Sequence, residues 1–160
     1  MVLAPEHELI SHITTPANRV EVEKYITWAK NRSEVERMAE VKQITGKFTG
    51  AYGINPVNGK EIPIWIADYV LSGYGTGAIM AVPAHDSLDF AFAKHFKLPI
   101  IQVVAKEGEE PSDPADWDGS YDAKDGNMIN SGFISGMEVK EAIRKTIDYL
   151  EPIYDSRDSR

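Results

Sequence analysis

The chain has no cysteine, which excludes disulfides, thiolate metal sites and a cysteine nucleophile together and leaves nothing that asks for an oxidising compartment. It also has no apolar run near the ~20 residues a membrane-spanning helix needs. After Met1 the stretch "VLAPEHELISH" has neither the basic lead nor the long apolar core of a targeting segment. A soluble, cytoplasmic chain with no membrane partner is expected. Positive charge is scarce too: 17 Lys and Arg against 25 Asp and Glu leave a net −8 at pH 7, the opposite of the basic footprint of a domain that grips nucleic acid unaided. Any nucleic acid it handles is expected to be an end, presented by something else.

What is present fits one globular domain. A chain of 160 residues buries roughly 68–70% of its unfolded surface. The order of elements is α/β. "MVLA" reads as a short strand. Thr15-Pro16 reads as a helix start for "ANRVEVEKYITWAKN", with Val22, Tyr25, Ile26 and Ala29 at helical spacing. Ser33 and Glu36 fit a capping box opening "EVERMAEV". "GKFTGAYGI" and "EIPIWIADYVL" are β-rich runs about Asn58-Gly59, a hairpin signal with positive φ. "GAIMAV" reads as a buried strand, "DSLDFAFAKHF" as a helix and "PIIQVVA" as a further strand. Residues 106–126, rich in acidic side chains, proline and glycine, are expected to be a solvated loop. "EVKEAIRKTIDYL" closes the fold as an amphipathic helix with Val139, Ala142, Ile143, Ile147 and Leu150 on its apolar side. One domain over 1–150 with a disordered tail over 151–160 is the expected organisation.

Chemistry concentrates in "GYGTGAIMAVPAHDSLDF", Gly73 to Phe90. Gly73, Gly75 and Gly77 lead into a strand, whereas a dinucleotide loop must lead into a helix whose N-terminus meets the pyrophosphate. They permit a tight bend, or the close approach of a ligand to Tyr74 and Thr76. Asp86 as N-cap with Asp89 in the first helical turn explains both carboxylates structurally. The same spacing puts both on one face beside His85, a seat for an ammonium group. The His-Asp pair also resembles part of a metal phosphohydrolase set, but His7, His12 and His95 lack supporting spacing, so no metal is expected. No G-x-S-x-G elbow occurs to support covalent catalysis.

Taken with "FTGAYGINPVNGKEIPIW" and "MVLAPEHEL", the stretch "WIADYVLSGYGTGAIMAVPAHDSLDFAFAKHF" resembles the editing domain of bacterial leucyl-tRNA synthetase. The resemblance spans about residues 1–150, and "MAVPAHD" gives it its leucyl character. It implies an α/β domain with a compact β-barrel-like core, and hydrolysis of the ester in mischarged tRNA(Leu). By position it implies that Asp89 holds the substrate α-ammonium, with Asp86 and His85 beside it as candidate catalytic groups. It also implies that Met80 and Val82 lie around the amino-acid pocket and that Leu71, Tyr74, His85 and Asp86 lie at or beside the site that receives the 3′-terminal adenosine, with Gly75 and Thr76 of the glycine-rich loop as further substrate-binding candidates. Leu88 stands where many bacterial members carry arginine.

No cofactor is implied for editing. ATP belongs to the complete synthetase, whose H-I-G-H and K-M-S-K-S signatures do not occur in this sequence. The partner implied is the 3′ end of mischarged tRNA(Leu) within a full synthetase, with the chain itself a monomer. The family's threonine-rich segment upstream of "MVLAPEH" is not in the sequence, so weak or no turnover by the isolated chain is expected. A binding-only fragment and a metal phosphohydrolase are the other readings.

Overall fold

The computed structural model describes residues 1–39 and 43–155. It is mixed α/β. Two compact units divide the chain, Met1–Asn55 with Lys60–Ala81 and Pro56–Gly59 with Val82–Arg160.

The first unit carries a four-stranded sheet in the order β2-β3-β1-β4, with β1 Val2–Leu3, β2 Lys47–Ile54, β3 Glu61–Ile66 and β4 Ala78–Ile79. β1 is parallel to β3 and antiparallel to β4. Val2 and Leu3 are buried, as an interior strand read from a continuous apolar run requires. β2 and β3 form the expected hairpin, but Ile54 pairs with Glu61 and Asn55 N–H meets Lys60 O at 2.9 Å. The connection therefore runs over six residues, 55–60, and of the Asn58-Gly59 pair only Gly59 has positive φ. The two-residue turn with both φ positive is not formed.

Helices α1 Leu9–Ile13, α2 Arg19–Lys30 and α3 Glu34–Ala39 complete this unit. Ile10, Val22 and Tyr25 pack with Leu3, Ile64 and Ile66 as its core. α2 begins later than the Thr15-Pro16 signal suggests. Asn18 precedes it, its N–H on Thr15 O at 3.0 Å and its Nδ2 on Thr15 Oγ1 at 2.8 Å, so the Thr-Pro pair makes a preceding turn instead of the cap. The Ser33–Glu36 capping box is formed. Glu36 N–H donates to Ser33 Oγ at 3.2 Å, and Ser33 N–H donates to Glu36 Oε2 at 2.7 Å. The Ser33 N–H bond, with a second from the Ser33 hydroxyl to the same oxygen at 2.8 Å, holds the Glu36 carboxyl below its usual pKa. The expected last residues of that helix, 40–41, lie outside the described residues.

The second unit holds α4 Ser87–His95, the antiparallel pair β5 Val104–Ala105 with β6 Asn127–Met128, and α5 Val139–Asp155. α5 runs five residues past the expected end, so 151–155 are helical; 156–160 lie outside the described residues. Its apolar side is not a buried face. Ala142 is buried, while Ile143 and Ile147 are exposed. In the acidic loop Ala123 is buried, so that segment is not wholly solvated.

Among the described residues neither sheet closes into a barrel. Two of the expected long strands are cut to two residues each: "GAIMAV" contributes Ala78–Ile79 and "PIIQVVA" contributes Val104–Ala105. Strands this short cannot supply the continuous stagger that closure needs.

Candidate functional site

The loop between β3 and β4 is held at both ends and open at its tip. Tyr74 N–H reaches Leu71 O and Gly77 N–H reaches Tyr74 O, both at 3.2 Å, so 71–77 folds as two successive turns. Gly75 and Gly77 take φ of +61° and +71°, the left-handed region that a side chain disfavours. A Cβ at Gly77 would meet only ordinary contacts, 3.4 Å from Ser72 Cα and 3.6 Å from Ala4 Cβ, so the backbone conformation is what calls for glycine there. The glycines thus make the bend, and the side chains between them project. Tyr74 is 79% exposed. Thr76 is exposed, with its hydroxyl 3.4 Å from Ala78 O, and Leu71 is half-buried. Met80 follows β4 and is 58% exposed, a departure from the buried strand expected there.

Ahead of the loop stands Asp68, which the sequence reading did not single out. Every polar atom of this buried residue is engaged. Its N–H donates to Tyr25 Oη at 2.9 Å, and its carbonyl accepts Arg37 Nε at 2.8 Å. Oδ1 accepts from Thr45 and Oδ2 from Arg32, each at 2.8 Å. Burial pushes the Tyr25 phenol up to about 12, with the Asp68 charge acting in the same direction. No spacing could reveal this hub, because its partners come from Tyr25, Arg32, Arg37 and Thr45, all distant in sequence.

In the second unit Val82, His85, Asp86 and Asp89 are brought together by local turns and by the start of α4. His85 N–H and Asp86 N–H both reach Val82 O at 3.0 Å. Asp86 is the N-cap: its Oδ1 accepts the N–H groups of Leu88 and Asp89, each at 3.0 Å. Asp89 is buried, and its Oδ2 accepts Val82 N–H at 2.7 Å. Both carboxylates thus occupy the structural positions their spacing suggests. Asp89 does so with its charge largely removed from water, a condition that strengthens a contact with a cation. Val82 is 45% exposed and Leu88 is exposed.

His85 has both ring nitrogens committed to backbone. Nδ1 meets Tyr121 O at 2.8 Å, and Nε2 faces the N–H groups of Val103 and Val104, each at 3.2 Å. A carbonyl accepts and an N–H donates, so Nδ1 carries the proton and Nε2 is the acceptor. In this arrangement the imidazole fastens the 82–86 turn to Tyr121 and β5 and has no lone pair left for a substrate proton. Tyr121 is itself tied down. Its hydroxyl donates to Glu109 and accepts Lys106 N–H at 3.1 Å, and the Glu109 bond raises its pKa. Among the described residues no group of three or more His, Cys, Asp or Glu side chains is disposed to hold a metal ion.

The family model described as leucyl-tRNA synthetase, editing domain, matches residues 1–151. A leucine–tRNA ligase from Porphyromonas gingivalis is 58% identical over 150 residues, 94% of this chain and 16% of the relative. One from Amoebophilus asiaticus is 50% identical over 153 residues, 96% of this chain and again 16% of the relative. The chain thus spans about one-sixth of the length of these curated relatives. Among solved structures, a ternary complex of LeuRS, tRNA and LeuAMS from Agrobacterium radiobacter aligns at TM-score 0.55 and 32% identity, covering 71% of this chain and 13% of that one.

Proposed function

Because the chain belongs to the leucyl-tRNA synthetase editing-domain family, we propose that it carries a post-transfer editing site, at which water hydrolyses the ester joining a wrong amino acid to the 3′ end of tRNA(Leu). The observation that carries this reading is the buried carboxylate of Asp89 in the first turn of α4. Asp89 binds the substrate α-ammonium. Asp86 and His85 fix the turn on which Asp89 stands. The exposed apolar side chains of Met80 and Val82 border the amino-acid side chain, and Leu71, Tyr74, Gly75 and Thr76 receive the terminal adenosine.

The chemistry asks little of a catalytic base. The aminoacyl ester is activated, so a water oxygen adds to its carbonyl carbon and the carbon–oxygen bond to the ribose breaks, giving a free amino acid and a tRNA with its hydroxyl restored. Binding and orientation supply most of the acceleration. The need for such a site is energetic, since a hydrophobic pocket separates amino acids differing by one methylene by only about 1–3 kcal/mol and a second sieve is required. No cofactor takes part, and ATP is used elsewhere in the synthetase. The net −8 charge gives tRNA phosphates little to bind, so tRNA affinity comes from the rest of a cytoplasmic synthetase that contains this domain as a monomeric unit.

The test is deacylation of isoleucyl- and norvalyl-tRNA(Leu) by the full synthetase and by its Asp89→Ala variant. Equal rates would overturn the reading.

A further inference from the structure

We infer that Arg37 is a positioning residue that holds both feet of the 71–77 loop and so presents its tip to the tRNA end, an inference that rests on the editing reading above. The Arg37 side chain is 3% exposed. A guanidinium so far from water needs partners on all three of its nitrogens, because an unpaired buried cation is strongly unfavourable. Its matches are spread over two segments. Nε donates to Asp68 O and Nη2 to Val70 O, both at 2.8 Å. These carbonyls belong to the turn whose next residue is Leu71, the entry of the loop. Nη1 donates to Glu6 Oε1 at 2.6 Å. Glu6 lies two residues past Ala4, whose N–H takes Gly77 O at 2.8 Å at the loop exit.

One planar group therefore fixes the geometry between entry and exit. A lysine, with a single nitrogen, cannot reproduce three donors in a fixed fork. The entry is further immobilised by Tyr25, Thr45 and Arg32 on the remaining polar atoms of Asp68. The tip has no comparable restraint, since Tyr74 is 79% exposed and the backbone between the two feet makes the two turn bonds at Tyr74 and Gly77. A loop clamped at its feet and free at its tip is disposed to bind through the tip, and the separation and twist of the feet decide where the ring of Tyr74 points. Stabilising α3 is not what Arg37 is needed for, because the Ser33–Glu36 box already caps that helix.

The experiment uses the full synthetase with Arg37→Lys, Glu6→Gln and Tyr74→Ala, alone and with Arg37→Lys and Tyr74→Ala combined. It reads steady-state deacylation of isoleucyl-tRNA(Leu), leucylation and melting temperature. Arg37→Lys is expected to raise KM for the mischarged tRNA on the order of tenfold, with kcat little changed, because a contact to the tRNA end made equally in the ground and transition states shows in KM alone. Leucylation should stay at the parental rate. Glu6→Gln, which leaves the carbonyl bonds intact, is expected to raise KM in the same direction but less. Tyr74→Ala should cost less in the Arg37→Lys background than in the parent, since coupled residues are not additive.

A parental KM in both Arg37→Lys and Glu6→Gln would overturn the inference, as would effects of Arg37→Lys and Tyr74→Ala that simply multiply. If Arg37→Lys does not fold, Glu6→Gln alone decides. Deacylation at the parental rate by Asp89→Ala would remove the editing reading and this inference with it. Loss in Asp89→Ala beside parental KM in the two loop-foot variants would remove this inference alone.

Discussion

Asp89 and Val82 are joined by a 2.7 Å bond from the Val82 N–H to one carboxylate oxygen of Asp89. A side chain in the first turn of α4 thereby fixes the backbone of a residue whose own side chain stands 45% exposed. The proposed anchor for the substrate charge and one proposed wall of the amino-acid pocket cannot move independently.

Replacing Asp89 by alanine removes that bond together with the proposed ammonium contact. A charged hydrogen bond contributes about 1.5–3 kcal/mol, so deacylation by the full synthetase should fall ~10- to ~100-fold or more. Leucylation should survive. Unchanged deacylation would return Asp89 to a structural role at the start of α4.

Met80 and Val82 predict a change of preference instead of a loss. If they border the pocket that rejects leucine, a smaller side chain at either position should admit it, and leucyl-tRNA(Leu) should begin to be hydrolysed. The measurement is release of leucine from correctly charged tRNA. A series of substitutions that all keep the parental preference would make both residues ordinary surface.

His85→Ala is expected to act through stability. It leaves the N–H groups of Val103 and Val104 without their acceptor, and each unsatisfied buried group costs about 1–3 kcal/mol. Denaturant unfolding of the chain should show a lowered midpoint. A variant of parental stability that no longer deacylates would instead assign the ring a chemical role.

Tyr25 is expected to make the stability of the first unit fall at alkaline pH. Its pKa is pushed up to about 12 from an ordinary value of 10.0, chiefly by burial. The folded state therefore keeps the phenol proton after the unfolded chain has lost it. The stability this contributes is fully present below pH 10 and declines as pH rises toward 12, amounting to roughly 3 kcal/mol. Unfolding midpoints measured across that window should fall with pH, and Tyr25→Phe should flatten the slope while losing the bond to Asp68 N–H. A parental slope in that variant would place the titration elsewhere.

What could be read from the sequence was local. The Asp86 cap, the Ser33–Glu36 box and the bend at Gly75 and Gly77 depend on residues within a few positions of one another, and each is present. The misread pieces depend on partners far along the chain. The run from Ala78 to Val82 is apolar enough for a longer strand, yet β1 offers pairing only to Ala78 and Ile79, so Met80 emerges. Ile143 and Ile147 have helical spacing and still stay exposed, because periodicity states which residues share a face without saying what covers it. Nothing within a few positions of Arg37 marks it out, because its partners Asp68 and Val70 return 31 and 33 residues on.

The irregularity in β2 bears on how copies of this chain meet. β2 is an outer strand of its sheet, and its pairing with β3 shifts register between Phe48 and Tyr52. At that shift Gly50 takes φ of +82°, and Thr49 O already accepts Thr15 N–H at 2.9 Å. A neighbouring strand seeking an uninterrupted ladder would find the outer border kinked and one of its acceptors occupied. Such borders resist edge-to-edge pairing, so β2 is a poor template on which the strand of a second copy could be laid.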